Sequence, residues 1–174
     1  YLKCVIMFKI DIVRSYGISK SYLKEVIIMH GKICCFFGHR DAPDTLVDDL
    51  YTAAEEMVLL EGVTTFLVGG HGNFDFLAAQ TVGRLRMAYP HIRLVLVAAY
   101  ASALRSPRVK EGGFDDAFVP DTLAKVPYKA AIVCRNRWMA QQTDFVIAYV
   151  IRAEGGAYTA VEYARKKGKK VCLL

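Results

Sequence analysis

The stretch Ile33-Cys34-Cys35-Phe36-Phe37-Gly38-His39-Arg40 decides the fold of this chain. Its five consecutive apolar residues run directly into a glycine, which is typical of a strand buried on both faces of a parallel sheet. Two further apolar runs also lead to glycines: residues 64–68 precede Gly69-Gly70, and residues 145–150 precede Gly155-Gly156. Parallel sheets bind ligands beyond the carboxyl ends of their strands, so these glycines fall where a site is expected.

The segments between these runs have helical patterns. Apolar residues recur at the spacing of an amphipathic helix in residues 45–60, 73–89, 127–142 and 157–167. Shorter apolar runs at residues 93–98 and 171–174 predict two more strands. Because strand and helix alternate, we predict an α/β, Rossmann-like three-layer fold with a mainly parallel sheet and helices on both faces.

The length of 174 residues suits one domain with a sizeable core. Residues 1–28 show neither a clear period nor turn signals, and Met29 stands just before the first patterned strand. We therefore predict that residues 29–174 form the domain and that residues 1–28 are an N-terminal appendage outside it. An additional helix with a role of its own is the alternative.

Composition and charge exclude several protein classes. Apolar residues make up 54% of the chain, which argues against disorder. The net charge is +6, but five basic residues fall within residues 165–170, so the excess is local and suits the carboxyl end of a helix. Nucleic acid is therefore the less favoured partner. No apolar run approaches the ~20 residues of a membrane span and no secretory signal is evident, so we expect a cytoplasmic protein with no membrane partner.

The cysteines indicate neither a disulfide framework nor a zinc site. They number five, an odd count, and no two of them form a C-x-x-C pair. Small hydrophobic residues in a reducing compartment account for them. We predict no metal site and no cofactor.

The turn Gly69-Gly70-His71-Gly72 is the first candidate site. Glycines permit positive φ and close approach of the backbone to a ligand. The helix that follows presents free N–H groups and the positive end of its dipole, and both suit a phosphate. Asp75 either hydrogen-bonds a ribose hydroxyl or merely occupies a favourable first-turn position. A tight turn with nothing bound is the alternative interpretation.

The turn Gly38-His39-Arg40-Asp41 is the second candidate site. An arginine just past a strand end can grip a phosphate through its planar guanidinium. His39 can donate to a phosphate or take part in proton transfer. Alternatively, His39 is a packing residue and Arg40 pairs with Asp41 at the surface.

The turn around Gly155-Gly156 is the third candidate site. Thr159 and the backbone can hold phosphate oxygens at the start of the helix that follows. Glu162 lies one to two turns further on and faces either a ligand or the solvent. A carboxylate near the amino end of a helix gains some stabilisation from the dipole, so a purely structural role is a real alternative.

The ordered set of these segments carries a family resemblance. The set is Cys34-Cys35-Phe36-Phe37-Gly38-His39-Arg40, then Gly69-Gly70, then Arg135-Asn136-Arg137-Trp138-Met139, then Gly155-Gly156 with Thr159. It resembles the SLOG superfamily, which joins the DNA-processing protein DprA/Smf with the LOG-type enzymes, and is most similar to the YpsA-like family of small bacterial proteins. The resemblance covers about residues 32–174. It implies a Rossmann-like sheet with a pocket for a nucleotide or nucleotide derivative, used as a ligand sensor.

The same resemblance implies an alternative activity. LOG-type enzymes are phosphoribohydrolases that release a base from a nucleoside monophosphate, and their motif is G-G-x-G-T-x-x-E. Gly155, Gly156, Thr159 and Glu162 match that motif, whereas Tyr158 replaces its third glycine. This replacement weighs against close approach of the backbone to a phosphate.

An arginine on the preceding helix also belongs to the LOG pattern. Counting back from Asp144, Arg135 matches it and Arg137 is a near alternative. Alternate positions on a helix face different ways, so at most one of the two points at a given ligand atom. In a hydrolase, Arg135 would hold the phosphate and Glu162 would stabilise the positive charge that develops on the sugar.

Two functional hypotheses follow. The leading one is a YpsA-like SLOG protein that binds a nucleotide-derived small molecule and acts as a sensor. Its ligand-binding residues would be Gly38, His39, Arg40, Gly69, Gly70, His71, Asp75, Arg137, Gly155, Gly156 and Thr159. The alternative is a nucleoside monophosphate hydrolase with Glu162 and Arg135 as catalytic residues. A homodimer is a further expectation, because the apolar composition can supply a self-association surface.

Overall fold

The computed structural model describes residues 31–174, except for the side chain of Arg108. The predicted appendage, residues 1–28, and its boundary with the domain lie outside the described residues. Within residues 31–174, no helix is long and apolar enough to cross a membrane.

Six parallel strands form a single sheet in this part of the chain. They are β1 (Lys32–Gly38), β2 (Val63–Val68), β3 (Arg93–Val97), β4 (Asp116–Phe118), β5 (Phe145–Tyr149) and β6 (Lys170–Leu173). The order across the sheet is β4-β3-β2-β1-β5-β6. The chain steps outward from β1 to β4 and then returns to the other side of β1. The carboxyl ends of β1 and β5 are therefore the switch point at which sheets of this type open a crevice.

Helices cover the sheet between the strands. They are α1 (Val47–Leu59), α2 (Asn73–Ala88), α3 (Pro107–Glu111), α4 (Tyr128–Gln142) and α5 (Gly155–Lys166). Because crossovers are right-handed and the chain reverses its direction along the sheet after β4, α1 and α2 lie on one face and α4 and α5 on the other. Within each face the two helices pack against each other. The predicted three-layer α/β fold is confirmed.

The strand β1 is the centre of the core. Cys34 and Phe36 belong to the cluster of buried side chains that α1 and α2 cover. Cys35 and Phe37 are also buried. They point to the opposite face, since side chains alternate along a strand, and α4 and α5 contact β1 there. Burial on both faces explains why the run is apolar without interruption.

Two local features of the structure were not predicted from the sequence. The strand β4 was not predicted, because its three residues, Asp116–Phe118, are all half-buried and too few to show a period. Gly72, not Asn73, is the N-cap of α2. The Asn73 side chain instead donates to Ala42 O at 2.8 Å and to Asp44 Oδ1 at 2.7 Å. It thereby ties the start of α2 to the segment that follows β1.

Candidate functional site

The carboxyl end of β1 forms one wall of the site. A Cβ atom at Gly38 would lie 2.1 Å from the Phe74 ring, so only glycine fits between the strand and the start of α2. His39 follows and is buried. Its Nε2 atom lies 3.1 Å from the Ile151 backbone nitrogen, which donates to it. His39 thus connects the end of β1 to the loop after β5.

Burial lowers the pKa of His39 below its usual value, and the nearby Arg152 guanidinium lowers it further. The neutral ring is also the form that accepts a hydrogen bond from Ile151 N–H at Nε2. Both effects favour an uncharged His39 in the folded protein. The positive charge of this wall therefore comes from the arginines.

The turn after β2 forms the opposite wall. Gly70 and Gly72 have φ angles of 69° and 100°, which residues with a side chain rarely adopt. A Cβ atom at Gly72 would lie 2.6 Å from Arg40 Cα. The Asn73 N–H donates to Arg40 O at 2.9 Å, so the two turns are locked together at the switch point. The turns after β1 and β2, which are the first two candidate segments, therefore lie side by side.

A buried arginine lies beneath this turn. Arg135, from α4, is 2% exposed and donates from Nη1 to Val97 O at 3.1 Å. Its Nε atom is buried and has no hydrogen-bond partner. A Cβ atom at Gly69 would lie only 1.7 Å from Arg135 Nη1, so the glycine is what lets the guanidinium reach the carboxyl edge of the sheet.

A buried carboxylate accompanies that arginine. Asp75, from the first turn of α2, accepts from the His71 N–H at 2.7 Å. Burial raises the pKa of Asp75, whereas the Arg135 charge opposes that rise. Burial likewise lowers the pKa of Arg135, and Asp75 opposes this shift. Each charge therefore makes burial of the other less costly.

Two exposed arginines flank the opening. Arg40 Nη2 lies 3.3 Å from His71 Nε2. Arg152 Nη2 donates to both carboxylate oxygens of Asp41, at 2.6 and 2.9 Å. The pKa of Asp41 is lowered by a hydrogen bond from its own backbone and by Arg152. The sequence did not single out Arg152, since it lies in an irregular loop with no motif around it.

These walls enclose a cleft of about 200 Å³. Its lining includes three arginines (Arg40, Arg135 and Arg152) and two carboxylates (Asp41 and Asp75). Asp75, in the first turn of α2, also lines it, so the positive end of that helix dipole lies beside the cleft. We call this space the polar cleft. Its charge suits a small anion.

The lining of the polar cleft includes most of the residues predicted for the first two turns, one residue from the third turn, and Arg135 from α4. Those that line it are Gly38, His39, Arg40, Gly69, His71, Asp75, Arg135 and Gly156. The structure adds Arg152, Asn136 and Ile132 to them. Five predicted residues are not in its lining: Gly70, Arg137, Gly155, Thr159 and Glu162.

Those five residues have other surroundings. Gly70 lines a neighbouring cavity, and Arg137 lies over the Tyr163 ring, with 5.7 Å from its guanidinium carbon to the ring centroid. Thr159 donates to Gly155 O within α5. Glu162 pairs with Arg165 at 2.9 Å on the same helix. The structure therefore brings Arg135, but not Glu162, to the polar cleft.

Tyr158, which replaces the third glycine of the LOG motif, is half-buried and is not among the residues that line the polar cleft. Within residues 31–174, no three His, Cys, Asp or Glu side chains are grouped closely enough to hold a metal ion.

Comparison with known proteins supports the fold. No protein-family model matches the chain, and no curated protein matches it in sequence. Solved structures do match. DNA processing protein A (DprA) from Streptococcus pneumoniae aligns over 84% of this chain and 51% of its own, with a TM-score of 0.61 and 16% identity.

Two further structures align in the same way. DprA from Helicobacter pylori, described for its single-stranded DNA binding mode, aligns over 82% of this chain and 64% of its own, with a TM-score of 0.57 and 17% identity. The structural-genomics target TM1055 aligns over 80% and 72%, with a TM-score of 0.51 and 15% identity. The chain thus spans between half and two thirds of the length of the DprA structures. These structures confirm the fold that the predicted resemblance to the SLOG superfamily implies, and the YpsA-like branch stays a prediction.

Proposed function

We propose that this protein binds a nucleotide or nucleotide-derived ligand through a phosphate group in the polar cleft, and that it serves as a ligand sensor. The observation that carries the proposal is Arg135. A guanidinium that is 2% exposed, with a buried Nε that has no hydrogen-bond partner, lies at the floor of a cleft beside a helix amino end. Burying such a group is costly, and an anion in the cleft would offset that cost.

The exposed arginines support the same proposal. Arg40 and Arg152 are exposed and both line the cleft, so a phosphate that enters it can reach both. Charge-assisted hydrogen bonds of an arginine with phosphate are stronger than neutral ones. Asp41 already orients Arg152 through two hydrogen bonds, so the guanidinium is held near the cleft before any ligand arrives.

Isothermal titration calorimetry with AMP, ADP-ribose and ribose 5-phosphate tests the proposal. We expect the Arg40→Ala and Arg152→Ala variants to lose about tenfold in affinity each, which corresponds to about 1.4 kcal/mol. Arg84→Ala is the matched control, because Arg84 is an exposed arginine that lies over the Tyr51 ring on α1, outside the cleft lining. If none of the three compounds gives binding heat at millimolar concentration with a folded protein, the proposal is refuted.

Single-stranded DNA is a second candidate ligand, and one specific observation favours it. Tyr100 and Tyr128 stack with ring centroids 4.2 Å apart, and the Tyr100 hydroxyl donates to Tyr128 O. Tyr128 is 72% exposed. Exposed aromatic rings near a cationic cleft are the usual platform for unpaired bases. The Helicobacter pylori structure with this fold is described as binding single-stranded DNA.

Fluorescence anisotropy with a labelled oligothymidylate tests this second candidate. Stacking on an aromatic ring is worth about 1–3 kcal/mol per base, so Tyr128→Ala should weaken binding about tenfold while Tyr128→Phe retains it. If the oligonucleotide does not bind at low salt, or binds both variants equally, the tyrosine pair is not a base platform.

The hydrolase alternative lacks a comparable observation. Glu162, which that reaction would place near the sugar, pairs with Arg165 and lies outside the lining of the polar cleft. We therefore retain binding as the proposed function.

A further inference from the structure

A second and larger cavity adjoins the polar cleft. It has a volume of about 630 Å³ and runs along α2, between that helix, the end of β3 and residues 103–114. Phe76, Ala79 and Gly83 of α2 line it, at the spacing that places residues on one helix face. Since Phe76 and Arg86 both belong to its wall, the cavity extends along the helix for about 15 Å. We call it the apolar groove.

Apart from Asp75 at the junction with the polar cleft, Arg86 and Glu111, the side chains that line the apolar groove are uncharged. Leu96, Val109 and Phe114 face it from the side opposite α2. The Arg86 charge within it is already compensated, because Arg86 donates to Asp115 Oδ2 at 2.9 Å and to Gly113 O at 2.5 Å. A charged ligand group would lose its hydration here without finding a free partner charge in Arg86.

Gly83 keeps the middle of the groove open. Glycine inside a helix costs about 0.8–1.0 kcal/mol relative to alanine. At Gly83 the φ angle is not positive, and nothing lies within 4 Å of the position that a Cβ atom would take. Neither the backbone nor a close neighbour therefore requires glycine at this position. What a side chain would remove is space in the groove.

The polar cleft and the apolar groove meet at the turn after β2. Gly69 and Asp75 line both cavities. Gly70 stands at the mouth of the groove, where a Cβ atom would lie 2.6 Å from Leu96 Cδ1. The polar cleft alone, at about 200 Å³, is smaller than the ~300–1,000 Å³ typical of ligand pockets, whereas the groove falls inside that range. A ligand that spans both would place its anionic end among the arginines and its uncharged end beside α2.

We propose that the apolar groove receives the base of the nucleotide ligand. A nucleobase is the uncharged, flat, aromatic part of a nucleotide, and Phe76 and Phe114 present aromatic rings on opposite walls. Asp75 lies at the junction, where the ribose between phosphate and base would pass. The inference rests on the proposed function, because it assumes that the phosphate occupies the polar cleft.

Two ligands and two variants test this inference. AMP and ribose 5-phosphate share the sugar phosphate and differ by the base. We expect wild-type protein to bind AMP at least tenfold more tightly than ribose 5-phosphate. Gly83→Leu, which fills the groove, should weaken AMP binding about tenfold and leave ribose 5-phosphate binding unchanged. Gly83→Ala is the matched control, since it adds one methyl group and leaves most of the groove open.

A second measurement on the wild-type protein guards against misfolding of Gly83→Leu. Nuclear Overhauser contacts should connect the adenine protons of bound AMP with the ring protons of Phe76 or Phe114. Equal affinity for the two ligands, contacts of adenine elsewhere, or a folded Gly83→Leu variant with unchanged AMP affinity would overturn the base site while the phosphate site stands. If neither ligand binds the wild-type protein, the proposed function itself fails, and this inference falls with it.

Discussion

Two of the turns that follow strands carry a double glycine, one at residues 69–72 and one at residues 154–156. At the first, a side chain at Gly69 would place its Cβ atom 1.7 Å from Arg135 Nη1, and one at Gly70 would place it 2.6 Å from Leu96 Cδ1. At the second, nothing lies within 4 Å of a Cβ atom at Gly155 or Gly156. The same dipeptide therefore meets a crowded environment in one turn and open space in the other.

The first turn is packed closely against neighbouring side chains, whereas the second turn only begins a helix. The turn after β2 is shaped around buried charges, Arg135 and Asp75, and its glycines let a guanidinium lie directly under the backbone. The turn after β5 needs glycine only for the positive φ of 86° at Gly155. The proposed phosphate site therefore includes the first turn, and the predictions below test whether the two turns differ as the structure indicates.

Removal of the buried guanidinium should have the largest effect. Arg135→Met leaves Asp75 buried without its compensating charge and leaves Val97 O without its donor. A buried acceptor left without its donor costs about 1–3 kcal/mol, and the uncompensated charge of Asp75 adds to that cost; urea denaturation measures the sum as a lower unfolding free energy.

Arg137→Met is the control for that change. Arg137 is exposed and lies over the Tyr163 ring two positions further along α4, so its loss should cost no more than about 0.5 kcal/mol. A comparable loss of stability in both variants would show that the helix, and not the buried charge, is responsible.

The sequence predicts the sheet well because burial on both faces leaves a strong pattern. The apolar run that ends at Gly38 needs no tertiary information to be recognised as a strand. The strand β4 could not be found in the same way, because three half-buried residues have no period and are defined by pairing with β3. Local pattern thus predicts the other five strands, including the edge strand β6, and misses only the short edge strand β4.

The site follows the same rule. The glycine turns are visible in the sequence, but their convergence depends on strand order, which places β5 beside β1 and brings Arg152 to the cleft. The sequence motif alone gives the two double glycines equal standing. The contacts of Gly69 with Arg135 and of Gly70 with Leu96 distinguish them, and both join residues that are far apart in the sequence.

Replacement of one glycine by alanine in each turn should give the next largest difference in stability. Gly69→Ala forces Arg135 out of place within a buried site, and overpacking of this kind costs about 1–3 kcal/mol. Gly156→Ala meets no neighbour at a helical position without positive φ, and should be neutral or stabilise the protein by up to about 1 kcal/mol. Thermal unfolding of the two variants measures the difference. Equal midpoints would remove the physical distinction between the turns.

Protonation of His39 should produce a smaller effect, at the contact that joins the two halves of the site. The pKa of His39 is lowered in the folded protein, first by burial and then by Arg152, so the unfolded chain takes up a proton more readily. The stability that neutral His39 contributes is therefore fully present above its ordinary pKa of 6.5 and is lost as the pH falls from 6.5 towards the lower folded value.

Unfolding free energies measured between pH 7.5 and about pH 5.5 test this sign. The decline on acidification should be shallower in His39→Gln, which cannot be protonated but can still accept from Ile151 N–H. His91→Gln, at an exposed position, should retain the wild-type slope. If His39→Gln and wild type lose stability in parallel, His39 does not control the acid response.

The smallest effect is expected at Glu162, the residue for which the binding and hydrolase hypotheses make the most different predictions. Its carboxylate pairs with Arg165 at 2.9 Å and lies outside the lining of the polar cleft, so Glu162→Gln should change AMP affinity by less than about twofold. An exposed pair of this type contributes little to stability as well.

A hydrolase would respond differently to Glu162→Gln, because the carboxylate would stabilise charge that develops only in the transition state. Base release would then fall sharply while AMP affinity barely changed. Chromatography of AMP incubated with each protein separates these cases. Release of adenine by wild type that Glu162→Gln abolishes would bring Glu162 into the site and end the contrast drawn between the two glycine pairs.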